Sequence, residues 1–422
     1  MSVLLIGTLD TKGNEIAFVR DLLREAGVGV TVLDAGVLGE PSFVADIPRE
    51  QVFEAAGTTL ARVQKQADRG QAIEAAARGA AKIALDLHAA DQITGVLALG
   101  GSAGTTIGTA AMRALPFGVP KLMVSTLASG QVQPYVGVRD IMMMHSVVDI
   151  SGLNRISRTV LANAAAAMFG MVQHPVSREP KASADKPLLA ATMFGVTTPC
   201  VEAGRKMLEA NGFEVLVFHA TGAGGRTMES FISDGLIRGV LDITTTELAD
   251  ELVGGILSAG KDRLTAAALL GIPQVISLGA LDMVNFGPPE SVPEKFTGRR
   301  FYRHNPNVTL MRTTPEENDA LGKEIAEKAS AAKGKTAILV PKKGVSAIDR
   351  EGQPFWWPEA DAALFQSLRH WLSPHVELIE LDLHINDGEF AETAARTLLR
   401  MMEKEGTQSA QRRHKDHKEN GN

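Results

Sequence analysis

The chain has 422 residues, with 45% hydrophobic and 22% charged side chains; this globular balance excludes wholesale disorder and collagen-like repeats. A net charge of −6 excludes a broad basic footprint for nucleic acid or anionic membrane. The single cysteine excludes an internal disulfide and a cysteine cluster for zinc or iron–sulfur, and points to a reducing, cytoplasmic setting.

The 41 glycines stand against only 15 Phe and 2 Tyr, a balance that suggests α/β layers with many tight strand-to-helix turns. The opening MSVLLIGTLD has no basic leader and reads as a buried strand rather than a signal peptide. Next comes an amphipathic helix with Ile16, Val19, Leu22 and Leu23 on one face, a stop at Gly27, and a second strand ending at Asp34. Further strands are expected at 95–99, before a glycine-rich turn, and at 121–125. The Ala-rich stretch 159–172 is too short to span a membrane and reads as a core helix.

Residues 175–187 carry three prolines and no periodicity, and read as a solvent-exposed linker. Beyond it the opening pattern returns: a strand from Leu188, a helix stopping at Gly212, and a strand ending at His219. Strands at 239–243, 274–277 and 336–340 and a last helix at 389–402 follow, then a polar tail at 405–422 that reads as disordered. Successive βαβ units demand parallel sheets with helices on both faces. The expected organisation is therefore two α/β domains, 1–174 and 188–404, joined by the linker.

In open parallel sheets ligands bind beyond the carboxyl ends of the strands. Four turns qualify. The strongest is Leu99-Gly-Gly-Ser-Ala-Gly-Thr-Thr: Gly100, Gly101 and Gly104 let backbone N–H groups converge at a helix N-terminus, where phosphate is favoured. Ser102, Thr105 and Thr106 add hydroxyls for a ligand or a metal; the plainer alternative is a tight turn with good caps. The turn is neither GxxxxGK[ST] nor GxGxxG, so Asp34 only imitates a ribose-binding acid and a nicotinamide cofactor is disfavoured. In the first turn Asp10 could meet a cation and Lys12 a phosphate, or Asp10 could cap the helix with Lys12 solvated.

The third turn, HATGAGGRTME, places Gly222, Gly224 and Gly225 after a strand, with Arg226 and Glu229 beyond. Arg226 suits a carboxylate or phosphate, and Glu229 could orient it or serve as a base; a plain turn with a surface salt bridge is the alternative. The fourth is diffuse: Asp242, Thr244, Thr245 and Glu247, with His304, His384 and Asp387 elsewhere, are more simply structural than metal ligands. Cys200 near a helix start is more simply a buried thiol than a nucleophile. No residues are assigned as catalytic or as metal ligands.

Eight motifs occur in a specific order: GTLDTKG at 7–13, GGSAGT at 100–105, VSTLASGQVQPYVG at 124–137, VVDISGLNRIS at 147–157, HATGAGGRTME at 219–229, DITTTELADELVGG at 242–255, RHNP at 303–306 and HINDGEFAE at 384–392. Over nearly the whole chain except the tail, they resemble the Tm-one-like ATP-binding family, bacterial proteins similar to the N-terminal inhibitory domain of a plant tobamovirus-resistance protein. The resemblance implies two Rossmann-like domains, a homodimer, and ATP bound with magnesium. By its motifs the phosphates fall to Gly100–Thr106 and Asp10–Lys12, while the adenine pocket is not placed. The expected function is a cytoplasmic ATP-binding protein, with or without weak ATPase activity. One alternative is a metabolic enzyme acting on a phosphorylated or carboxylated small molecule between the domains; another is an interaction module with structural ATP.

Overall fold

Residues 2–173 and 186–403 are described by a computed structural model, which also traces the helical course of 404–419. The expected linker, apart from Lys186 and Pro187, lies outside the described residues, as do the side chains of the expected tail. The chain divides into two compact units, 1–183 and 184–422.

The first unit runs β1 (Ser2–Gly7), α1 (Leu9–Glu25), β2 (Gly29–Asp34), α2 (Arg49–Ala55), α3 (Leu60–Gln66), α4 (Arg69–Ala89), β3 (Gly95–Gly100), α5 (Ser102–Ala114), β4 (Lys121–Ser125), α6 (Gln133–Val136), β5 (Met142–His145) and α7 (Arg155–Gln173). The five strands form one parallel sheet in the order β2-β1-β3-β4-β5. Alternate residues of the central strands face opposite layers, as the strand period requires. Leu4, Ile6, Val96 and Ala98 pack on Ala76 and Ala80 of α4 and Met112 of α5. Val3, Leu5, Leu97 and Leu99 pack on Ile16 and Val19 of α1 and Leu161 and Met168 of α7. Burial on both faces is why these strands read as continuous apolar runs.

The second unit runs β6 (Leu188–Met193), α8 (Thr198–Ala210), β7 (Glu214–His219), α9 (Ala223–Ser233), β8 (Gly239–Thr244), α10 (Thr246–Val253), α11 (Ala266–Leu270), β9 (Gln274–Gly279), β10 (Met283–Phe286), β11 (Phe301–Asn305), β12 (Val308–Arg312), α12 (Pro315–Ser330), β13 (Thr336–Pro341), α13 (Pro358–Trp371), β14 (Glu377–Leu381) and α14 (Gly388–Glu419). Six strands make a parallel sheet, β14-β13-β9-β8-β6-β7, that opens with the same βαβ pairing as the first unit. The fold is thus α/β, with two mainly parallel, helix-flanked sheets of Rossmann-like type.

Three features escape the sequence reading. β5 and β14 are edge strands with partly exposed residues, so they lack a continuous apolar run. A small antiparallel sheet, β10-β12-β11, is inserted after β9. Its outer strand FYRHN is polar and exposed, which hides it from a hydrophobicity pattern.

Candidate functional site

In the first sheet the strand order reverses between β1 and β3, the place where doubly wound sheets open a crevice for ligands. The strongest turn of the sequence reading, after β3, meets the first turn, after β1, there. They line a cleft of about 750 Å³ that contains Asp10, Lys12, Gly100, Gly101, Ser102 and Gly104. The facing wall is apolar: Val37, Val63, Ala72, Ile73, Ala76 and Ile107, with Gln64, Asp68 and Arg69 as its polar members. None of these wall residues is singled out by sequence. Most come from α3 and α4, where the signal is an alanine-rich buried face of α4, while Val37 comes from the loop after β2 and Ile107 from α5.

The glycines of the β3–α5 turn have separate causes. A Cβ on Gly100 would lie 2.8 Å from Gly104 Cα, and one on Gly104 would lie 3.2 Å from Leu99 O, so both permit the tight return of helix onto strand. A Cβ on Gly101 meets only Thr126 Oγ1 at 3.8 Å, so this position is open. Gly101 is the extended N-cap, and its carbonyl takes the Thr105 N–H. The N–H groups of Ser102, Ala103 and Gly104 have no hydrogen-bond partner among the described residues, which leaves an unfilled helix N-terminus on the cleft. Thr105 Oγ1 is committed to Gly101 O and Ser125 Oγ, and Thr106 Oγ1 to Ser102 O. Of the three hydroxyls expected to serve a ligand, Ser102's is the one with no commitment among the described residues.

α1 is kinked at Lys12 (φ −129°, ψ 17°), so its first turn stands apart from the rest of the helix. Lys12 lines the cleft with no ion-pair partner among the described residues. Asp10 does something else: its Oδ2 accepts the N–H groups of Val37, Leu38 and Gly39 at 3.2, 2.9 and 3.3 Å. The carboxylate thereby pins the loop after β2, which forms part of the cleft wall, while Oδ1 accepts no hydrogen bond among the described residues. Asp34 is buried, and its Oδ1 accepts from Leu9 N and Gly36 N, an arrangement for holding the β1 and β2 turns together rather than for meeting a ribose. Burial holds its carboxyl above the ordinary carboxylate range. Asp10→Ala is expected to speed amide exchange at Val37–Gly39 by roughly tenfold or more, since charge-assisted bonds contribute ~1.5–3 kcal/mol. Unchanged exchange there would show that Asp10 does not hold the loop.

In the second unit the Gly222–Glu229 turn cradles an anion supplied by the chain itself. Glu247 Oε1 accepts from Gly222 N (2.7 Å) and Gly225 N (3.0 Å), and a Cβ on Gly225 would lie 2.1 Å from Glu247 Oε2. Glu247 Oε2 accepts from Arg263 Nε at 2.7 Å, and Asp242 takes Nη1 and Nη2 at 2.6 and 2.7 Å. Glu229 accepts the N–H groups of Leu264, Thr265 and Ala266, and Nη1 of Arg263 at 3.5 Å. Burial raises Glu229, with Arg263 opposing the rise. Arg263 is fully buried; burial opposes its charge, but Asp242, Glu247 and Glu229 outweigh it and hold the guanidinium well above its ordinary value. Arg226 donates to Ser258 O. A Cβ on Gly224 would strike His219 O at 1.9 Å, so this glycine serves the turn itself.

The remaining candidates are structural. His384 Nδ1 accepts from Asn386 N and Nε2 is hydrogen-bonded to Ser346 O, so both ring nitrogens are used within the fold. His304 is exposed against Tyr302. Asp387 accepts from His384 N. Burial pushes the Cys200 thiol up to about 12, which removes it as a nucleophile near neutral pH. Among the described residues no three His, Cys, Asp or Glu are placed to hold a metal ion.

A second buried acid cluster lies at the carboxyl ends of β9 and β13. Asp282, Asp349 and Asp361 share one guanidinium, Arg312, which bonds Asp361 at 2.6 Å. Burial pushes Asp361 up to about 7, with the charge of Asp349 adding to the rise. A folded-state value above the unfolded one means that this stability is fully present below about pH 3.8 and is lost as pH rises through about 7. The second unit should therefore melt at a lower temperature at pH 8 than at pH 6. Asp361→Asn, which keeps the acceptor for Arg312, should flatten that slope; an unchanged slope in the variant would contradict the assignment.

Residues 1–177 match the N-terminal domain, and 186–402 the C-terminal domain, of the Uncharacterised protein family UPF0261. A UPF0261 protein of Clostridium tetani is 52% identical over 403 residues, covering 95% of this chain and 99% of the relative. A UPF0261 protein of Rhizobium meliloti is 49% identical, covering 93% and 97%. The ToMV susceptible protein tm-1(GCR26) of Solanum lycopersicum is 41% identical over 423 residues, covering 96% of this chain but 56% of the tomato protein. With both domains matched in order along one chain, this protein belongs to the UPF0261 family.

Proposed function

We propose that the first unit binds a nucleoside triphosphate of the ATP class, with its phosphates on the α5 N-terminus and Lys12 and its base against the alanine-lined wall of α4. The observation that carries the reading is the coincidence, in one switch-point cleft, of three unpartnered helix N–H groups and an unpaired lysine. Such N–H groups together with a lysine favour a multiply charged phosphate. The volume lies within the ~300–1,000 Å³ of small-molecule pockets, and the small side chains Ala72 and Ala76 leave room for a flat ring.

The residues present also fit magnesium. A phosphate-bound Mg²⁺ needs only one or two protein carboxylates, and Asp10 Oδ1 and the Ser102 hydroxyl are uncommitted on the cleft. When bound, the ion would neutralise phosphate charge. The chain's own part is to orient the phosphates by backbone donors, while Asp10 Oδ2 keeps the 37–39 loop in place.

A binding role is favoured over turnover by the second unit. There the turn that would serve an enzymatic substrate has two of its N–H groups filled by Glu247, and Glu229 is bound to Arg263 and to the start of α11. A homodimer and a cytoplasmic setting belong to the same proposal. Among the described residues no helix is long and apolar enough to cross a membrane.

Isothermal titration of the full chain with ATP, with and without magnesium, and with Lys12→Ala tests the reading. Saturable binding that Lys12→Ala weakens by about tenfold supports it. Absence of ATP binding by the wild-type chain, or equal affinity in the variant, removes the phosphate assignment.

A further inference from the structure

The inserted sheet of the second unit carries a groove unrelated to the first-unit cleft. It measures about 430 Å³ and is walled by Pro289, Val292, Phe296 and Phe301. Four polar residues also line it: Glu294, Thr297, Arg303 and Thr309. Arg303 on β11 and Thr309 on β12 are direct partners in the antiparallel register, so their side chains share one face of the sheet.

Among the described residues, two of these groups lack partners. The other arginines of this region are committed: Arg299 to Glu317, Arg300 to Trp356 O and the Trp357 ring, and Arg312 to Asp361. Arg303 has no hydrogen bond or ion pair among the described residues. Thr309 is 4% exposed, and its buried Oγ1 has no hydrogen-bond partner among the described residues. Buried hydroxyls are rarely left unmade, because the loss is costly. An unpaired guanidinium, an orphaned hydroxyl and an aromatic wall therefore occur together in one concavity.

We propose that this groove is a binding site for a small apolar monocarboxylate. The guanidinium fork of Arg303 matches a carboxylate bidentately. The Thr309 hydroxyl lies on the same face and can donate to a carboxylate oxygen. Phe296, Phe301, Val292 and the prolines take the apolar body from water. Glu294, on the same lining, opposes a second negative charge, which sets the ligand class apart from dicarboxylates and phosphates.

The probe is 3-phenylpropionate, titrated into the full chain by calorimetry and by saturation-transfer NMR. Its amide, 3-phenylpropionamide, and inorganic phosphate are the controls, and Arg303→Ala, Arg303→Lys and Thr309→Val are the variants. Arg303 is exposed, so its variants should keep the wild-type melting temperature. The expected result is acid binding that is at least about tenfold tighter than amide or phosphate binding, lost by about tenfold or more in Arg303→Ala and only partly restored by Arg303→Lys. Saturating ATP should leave it unchanged, which keeps this test independent of the nucleotide reading. The proposal is overturned if the acid does not bind, if acid and amide bind equally, if Arg303→Ala binds as well as wild type, or if ATP displaces the acid.

Discussion

Gly101→Val is expected to abolish ATP-dependent stabilisation of the first unit while leaving the ligand-free protein folded. At a free ATP concentration of 100 times Kd, the wild type should gain ~2.7 kcal/mol, worth roughly 5–10 °C in Tm for a unit of this size. The choice of position matters. A side chain at Gly100 would drive Cβ against Gly104 Cα at 2.8 Å, so failure there would report on the turn rather than on the ligand. At Gly101 the backbone is extended (φ −77°) and the nearest neighbour of a Cβ is Thr126 Oγ1 at 3.8 Å, so the Cβ of a valine meets no close contact there. It would stand beside the free N–H groups of Ser102, Ala103 and Gly104, where the phosphates are proposed to lie. Differential scanning calorimetry with and without ATP reads both quantities. A variant that retains the wild-type ATP shift would place the nucleotide away from this turn.

Arg263→Leu should be the most destabilising single change in the second unit. The guanidinium is fully buried and its donors serve Asp242, Glu247, Glu229 and Thr244 O. Leucine fills much of the volume but leaves Asp242 and Glu247 buried without their cation. Breaking a buried pair in this way costs about 3–5 kcal/mol, which corresponds to a Tm loss on the order of 10 °C. The damage should also reach the glycine turn, because Glu247 holds Gly222 and Gly225 on its other oxygen. Adding Asp242→Asn and Glu247→Gln to Arg263→Leu should recover part of the loss, since neutral amides remove the unpaired charges. A loss below about 1 kcal/mol in the single variant would show that solvent reaches the site on mutation.

What could be read in advance divides by range. The turns after β1 and β3 are local signals, an apolar run followed by small residues and a helix, and the sheet order brings these two turns together. The far wall of the cleft is not local. Val63, Ala72 and Ala76 carry no chemistry in sequence and become a wall only because α3 and α4 pack over that crevice. The turn at 222–225 has three glycines like the one at 100–104, yet its counter-anion arrives from Glu247, more than twenty residues on. Asp10 shows the same limit: its place at the end of β1 suggests a cation or a helix cap, while its partners are the loop N–H groups of Val37–Gly39. Glycine and hydroxyl content locate a turn that can hold an anion; only tertiary packing decides whether the anion is a ligand or the chain's own carboxylate.

The most direct test of the central assignment is a crystal structure of the full chain grown with ATP and magnesium. The assignment predicts phosphate oxygens about 2.9 Å from the N–H groups of Ser102, Ala103 and Gly104, with Lys12 in contact and the adenine against Ala72 and Ala76. Nucleotide bound in the second unit, or a first-unit cleft with no nucleotide at saturating ATP, would contradict it.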